Sequence, residues 1–182
     1  MHQINYSAFC YVSNFNRDYI KNLDKKVNII FRNYSINLDI KKLKEFKDFC
    51  NSNNHKIYLA NNMRLALNLK FDGVYIPSFN KKINFTDNKK VKYFRIIGSA
   101  HNLSEIRIKE KQGVDCIFLS PLFNIIKSSN FLGISKFNIL ASSTNRQIVA
   151  LGGINKLNIK KLGMLNVVGF SGISYFQKKR PF

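Results

Sequence analysis

Eight short runs rich in β-branched and aromatic residues recur along the chain, at 9–13, 27–32, 56–61, 73–77, 94–100, 116–121, 147–153 and 168–173, and they limit its fold more than any other feature. Most are apolar throughout, the pattern of parallel strands that are covered on both faces or that line a closed barrel. Helical patterns lie between several of them. Ile40, Leu43, Phe46 and Cys50 share one face of a predicted helix, and Lys41, Lys44 and Lys47 occupy the rest of its surface. A second predicted helix has Asn102 as its cap, Glu105 reaching back as in a capping box, and Gly113 ending it in the left-handed conformation. Asn155 and Gly163 bracket a third.

Strand and helix alternating about eight times favour an α/β fold, a (β/α)8 TIM barrel, over a doubly wound open sheet. The chain has 182 residues, and such barrels typically need about 250, so a compact form with trimmed helices is expected. The polar connection at 80–92 has little helical periodicity, and only 174–182 remain for a last helix. With 45% hydrophobic and 22% charged residues the chain is too apolar to be wholly disordered, and no linker, duplication or low-complexity stretch divides it. One barrel domain over residues 1–182 is the expectation.

Thirty Lys and Arg against ten Asp and Glu give a formal net charge of +20, which favours anionic partners. Abundant Lys, Asn, Ile, Phe and Tyr also fit A+T-rich codons, and composition does not separate the two readings. The basic runs at 41–47, 89–92 and 178–180 lack a recognised nucleic-acid motif, so a polyanion-binding protein is the lesser alternative. Cys10, Cys50 and Cys116 are odd in number and have no CxxC spacing, which argues against a disulfide framework or a zinc site and fits a reducing cytoplasm. No stretch of about 18 apolar residues and no secretory leader pattern are present, so a cytoplasmic protein that does not enter membranes is expected.

Ligands of such barrels bind at the C-terminal ends of the strands, here 32–34, 61–62, 99–102, 120–127, 152–153 and 172–174, none of which contains a carboxylate. Only Asp87 among the ten acidic residues lies in a candidate top loop. Paired-carboxylate acid/base chemistry is therefore disfavoured, and a hard cation such as Mg2+ would rely on substrate phosphates, water and amide oxygens. The last two runs end in Ala-Leu-Gly-Gly-Ile-Asn (150–155) and Gly-Ile-Ser (172–174). Glycines there let backbone N–H groups approach an oxyanion, and the loops after strands 7 and 8 are the usual phosphate site; the plainer reading is tight turns alone. Arg32 closes an apolar run with few acidic residues to pair with, which suggests anion binding. Lys127 is one lysine among many. His101 suits a structural role as well as a catalytic one. His2 and His55 lie away from the glycine-rich ends, and the cysteines read as core residues.

Phe-Arg at 31–32, Leu-Ala-Leu-Asn-Leu-Lys-Phe-Asp-Gly-Val-Tyr-Ile at 65–76, Ile-Ile-Gly-Ser-Ala-His-Asn at 96–102, Gly-Val-Asp-Cys-Ile-Phe-Leu-Ser-Pro-Leu-Phe at 113–123, Ala-Leu-Gly-Gly-Ile at 150–154 and Gly-Ile-Ser at 172–174 occur in that order. Together they resemble the thiamine-phosphate synthase/TenI family. The resemblance implies a barrel that couples a pyrimidine diphosphate to a thiazole phosphate, giving thiamine phosphate and pyrophosphate. In that reaction pyrophosphate leaves first, stabilised by Mg2+ and basic groups, and the thiazole nitrogen captures the pyrimidine cation. It implies catalytic roles for Arg32, Ser99 and Lys127, substrate contacts from Asn61, Asn62 and His101, and a thiazole-phosphate cup of Gly152, Gly153, Ile173 and Ser174.

The chain also departs from the family pattern. A lysine expected in the second strand falls on Tyr34, an Asn-Asp-Asp segment falls on Ala60, Asn61 and Asn62, and a further metal aspartate falls near Asn80. The implied Mg2+ carboxylates are thus amides, with Asp87 as a further candidate ligand. A Thr-x-Thr segment meets Asn124, Ile125 and Ile126, with Ser128 and Ser129 as stand-ins, and the histidine of thiazole tautomerases falls on Pro121. The alternative function is a non-catalytic barrel that binds thiazole phosphate or thiamine phosphate; a homodimer is left open.

Overall fold

The computed structural model describes residues 6–35, 38–83, 92–125 and 130–176. Each of the eight apolar runs coincides with a strand, the first beginning two residues before its run: β1 (Ser7–Val12), β2 (Asn28–Phe31), β3 (Ile57–Ala60), β4 (Gly73–Ile76), β5 (Arg95–Ala100), β6 (Cys116–Leu119), β7 (Gln147–Leu151) and β8 (Gly169–Ser171). They close in sequence order into a barrel, and every neighbouring pair, including β1 with β8, is parallel.

Alternation within each strand sorts the side chains into two cores. Phe9, Ile30, Tyr58, Tyr75, Ile97, Phe118 and Val149 fill the barrel interior, with Phe9 and Phe118 edge to face at 4.9 Å. The opposite faces, including Ile29, Leu59, Val74, Ile96 and Ile117, pack outward against helices and loops. Both faces are buried, which explains why the runs lack a polar stripe.

The helices are α1 (Arg17–Lys21), α2 (Ile40–Ser52), α3 (Met63–Asn68), α4 (Leu103–Lys111), α5 (Gly133–Ser142) and α6 (Ile173–Phe176). Several are only one or two turns long, as the chain length requires. In α2, Leu43, Phe46 and Cys50 are buried as expected, but Ile40 in the first turn stays exposed, because the helix has not yet reached the sheet there. The third expected helix is instead a 3-10 helix, Ile159–Met164, and Gly163 lies within it. In the stretch left for a last helix, α6 begins at Ile173, one residue earlier than expected and one residue after β8, and 177–182 lie outside the described residues. No helix among the described residues is long and apolar enough to cross a membrane.

Candidate active site

At the ends of β7 and β8 the rim is made of backbone. Gly152 and Gly153 hold φ of 93° and 70°. A Cβ on Gly152 would stand 2.8 Å from Pro121, and one on Gly153 would stand 2.6 Å from the carbonyl oxygen of Asn124, so only glycine fits. The turn is stitched to the loop after β6, where Leu122 N–H donates to Leu151 O (2.8 Å) and Phe123 N–H to Gly152 O (3.1 Å). From below, the Asn158 amide donates to Gly153 O at 2.8 Å. Among the described residues, the N–H groups of Gly152, Gly153 and Ile173 meet no acceptor. Ile173 and Ser174 open α6 at the neighbouring strand end.

The centre of the rim is aromatic. Exposed Arg32 sets its guanidinium 4.7 Å from the centroid of Tyr11, which meets Tyr75 edge to face at 5.5 Å. Ser99 points into the barrel from β5 and is buried. The Tyr11 hydroxyl is buried beside the Tyr75 phenol. Burial, then the nearby Tyr75 phenol, pushes the Tyr11 phenol well above its ordinary range against the pull of Arg32. Burial likewise raises Tyr75, with the Ser99 hydroxyl among the groups that restrain it. Tyr34, half screened and against Phe79 at 5.5 Å, is pushed up to about 12, first by burial. These phenols stay neutral near pH 7, so Arg32 has no anionic partner among them.

His101 joins three loops. Its Nδ1 lies 2.9 Å from Ser120 O and 3.1 Å from Ser120 Oγ, and its Nε2 lies 3.2 Å from Ser78 Oγ. A carbonyl oxygen only accepts, so Nδ1 carries a proton, and the Ser78 hydroxyl, which can donate or accept, partners Nε2. Asn102 caps α4 as expected, its side chain accepting from Glu105 N–H at 2.9 Å, and Gly113 beyond the helix end has a φ of 70°. The capping box is displaced by one residue, because Glu105 Oε2 accepts from His101 N–H (2.8 Å), fixing the histidine backbone.

At the ends of β3 and β4 the rim is made of side chains. Asn61 adopts φ of 60°, and Asn80 Nδ2 donates to its Oδ1 at 2.7 Å. Asn80 Oδ1 in turn accepts from Lys82 N–H at 3.0 Å. The Asn62 oxygen caps α3 through Leu65 N–H at 3.0 Å. Beneath this corner lies Lys109, fully buried on α4. Its Nζ donates to Pro77 O (2.8 Å), Asn80 O (3.0 Å) and Gln112 Oε1 (2.8 Å), while Gln112 Nε2 donates to Asn80 O and Lys82 O, both at 2.8 Å. The lysine stem crosses β5 at Gly98, where a Cβ would be 2.9 Å from Lys109 Cδ. Burial pushes its ammonium down to about 8, with Glu105 opposing the shift.

Among the described residues no three His, Cys, Asp or Glu side chains are grouped to hold a metal. Mg2+ sites usually include one or two carboxylates, whereas this corner offers two amides whose oxygens are already bonded, with a buried ammonium behind them. These residues do not fit the Mg2+ that the resemblance implies. Asp87, Lys127, Ile126, Ser128 and Ser129, like residues 89–91 of the basic run at 89–92 and the whole run at 178–180, lie outside the described residues. Lys109, Gln112 and Tyr11 were not singled out in the sequence. The available signal was the spacing of Ile106 and Lys109, which puts a lysine on the buried face of α4.

Fold and rim together define a (β/α)8 barrel with a glycine turn and a cluster of amides at the C-terminal ends of its strands. Residues 24–176 match the family model described as thiamine monophosphate synthase, and the chain belongs to that family. Thiamine-phosphate synthases from two strains of Prochlorococcus marinus are each 34% identical, over 68% and 74% of this chain. The chain spans only 36% and 40% of their lengths. A solved structure described as thiamine phosphate pyrophosphorylase from Pyrococcus furiosus superposes with a TM-score of 0.70 at 17% identity, covering 93% of this chain and 86% of that one, which supports the fold.

Proposed function

We propose that the barrel is a thiamine-phosphate synthase, a transferase that joins a pyrimidine diphosphate to a thiazole phosphate and releases thiamine phosphate and pyrophosphate. The observation that carries this reading is the pair of adjacent turns after β7 and β8, whose unpaired N–H groups suit a phosphate. In this reading Gly152, Gly153, Ile173 and Ser174 hold the thiazole phosphate. Arg32, Ser99 and Lys127 face the departing pyrophosphate, and Asn61, Asn62 and His101 contact the pyrimidine substrate. Loss of pyrophosphate needs electrostatic stabilisation of a leaving group and no general base, which suits a rim without carboxylates. The neutral aromatic floor of Tyr11, Tyr75 and Phe118 would exclude water from the pyrimidine cation until the thiazole nitrogen captures it. Residues 1–182 are taken to act as one barrel domain in the cytoplasm, with a homodimer as an open arrangement and no specific nucleic acid as partner.

The test is to mix the purified chain with both substrates, with and without Mg2+, and follow thiamine phosphate by mass spectrometry. Product from the wild type that is lost in Arg32→Ala is expected. No product under either condition would sink the proposal, and thiazole phosphate bound without turnover would point to the non-catalytic alternative.

A further inference from the structure

The corner formed by the loops after β3 and β4 has its hydrogen-bond polarity fixed from below. Lys109 Nζ and Gln112 Nε2 both hold Asn80 O, and Gln112 also holds Lys82 O, so the backbone from 80 to 82 has one path. On that path Lys82 N–H takes Asn80 Oδ1, and the Asn80 amide nitrogen must face the other way, toward Asn61 Oδ1. With its oxygen engaged, the exposed Asn61 keeps its own Nδ2 as a donor that meets no acceptor among the described residues. Two carboxylates at this separation would need a cation between them, whereas two amides close on each other and leave donors over.

We propose that this clamp replaces a divalent cation: Asn61 Nδ2 donates directly to the diphosphate end of the substrate, and Lys109 and Gln112 are positioning residues that act through Asn80. Diphosphate binding by the barrel is then independent of Mg2+. The identity of the substrate and the placing of its diphosphate at this corner rest on the proposed function; the polarity of the corner does not.

The experiment is calorimetric titration of the purified chain with pyrophosphate, in EDTA and in Mg2+, with turnover of the two substrates measured alongside. Wild-type affinity should agree between the two conditions within about threefold. Asn61→Asp keeps the bond to Asn80 but replaces donors by a charge, so it should lose about tenfold or more in EDTA and regain binding with Mg2+, while Asn61→Ala should lose as much and regain nothing. Asn61 is exposed, so both variants should fold, with Asn61→Ala the less stable of the two because its φ of 60° disfavours alanine. Lys109→Met should weaken pyrophosphate in EDTA and raise KM more than it lowers kcat. Wild-type binding that appears only with Mg2+, no pyrophosphate binding in either condition, or Asn61→Ala binding like wild type would each overturn the inference. Turnover that requires Mg2+ would also overturn it and leave the proposed synthase standing. Metal-free pyrophosphate binding without turnover would do the reverse.

Discussion

The two halves of the rim are built from different materials. After β7 the site is a backbone turn forced by two glycines and stitched to the loop after β6; after β3 and β4 it is a chain of side chains running from Lys109 through Asn80 to Asn61. By the resemblance read from the sequence, the glycine half is expected to follow the family pattern and the amide half to depart from it. A backbone site depends on conformations that few residues other than glycine allow, so its chemistry is tied to its shape. A side-chain site keeps its shape when an acid becomes an amide, but its chemistry inverts from cation-binding to donor.

The sharpest way to break the comparison is Gly153→Ala. The added methyl would meet the Asn124 and Phe123 carbonyl oxygens at 2.6 and 2.7 Å on a residue with φ of 70°, so a loss of about 3 kcal/mol is expected in urea unfolding. Thiazole-phosphate binding should fall with it, and wild-type stability would mean that the turn yields. Next comes Arg32→Ala, which on the proposed function lowers turnover about 100-fold. Its stability should change by less than about 1 kcal/mol, because the exposed side chain only lies over Tyr11. A large stability loss with normal turnover would reverse the assignment.

Lys109→Met tests the other half and should cost about 2 kcal/mol. It leaves Gln112 Oε1 without its donor and takes one of two donors from Pro77 O, which keeps Asn80 N–H, while Gln112 still serves Asn80 O. The damage should be confined to the loop after β4, read as faster amide exchange at residues 78–82 with protection of the strands unchanged. Uniform loss of protection would show the lysine to be a general core element.

Much of the barrel was legible because buried parallel strands read as unbroken apolar runs, and all eight occur where Val, Ile, Phe and Tyr concentrate. The glycine turn was legible because Gly-Gly at a strand end has few other uses. Lys109 was not, because a lysine on a short helix in a chain this basic looks like a solvated one. What identifies it is the missing side chain at Gly98, a residue on another element. Ile40 misled for a related reason: helical spacing gives a face, but only the angle of approach says how far along the helix that face stays covered.

The smallest effect concerns the three cysteines, which belong to neither half of the rim. All are buried, and burial pushes the thiols of Cys50 and Cys116 up to about 12 and raises that of Cys10 against the nearby Tyr19 hydroxyl. The thiolate is the reactive form, so at pH 8 neither access nor charge favours labelling in the folded chain. Reaction with a disulfide reagent should therefore follow unfolding, and should leave turnover unchanged over the period in which an exposed thiol reacts fully. Cys50 is on the buried face of α2 and Cys116 lies inside the barrel, so if Cys50 reacts much faster than Cys116, α2 opens separately from the barrel. Equal rates would mean that the short helices and the closed sheet unfold as one unit.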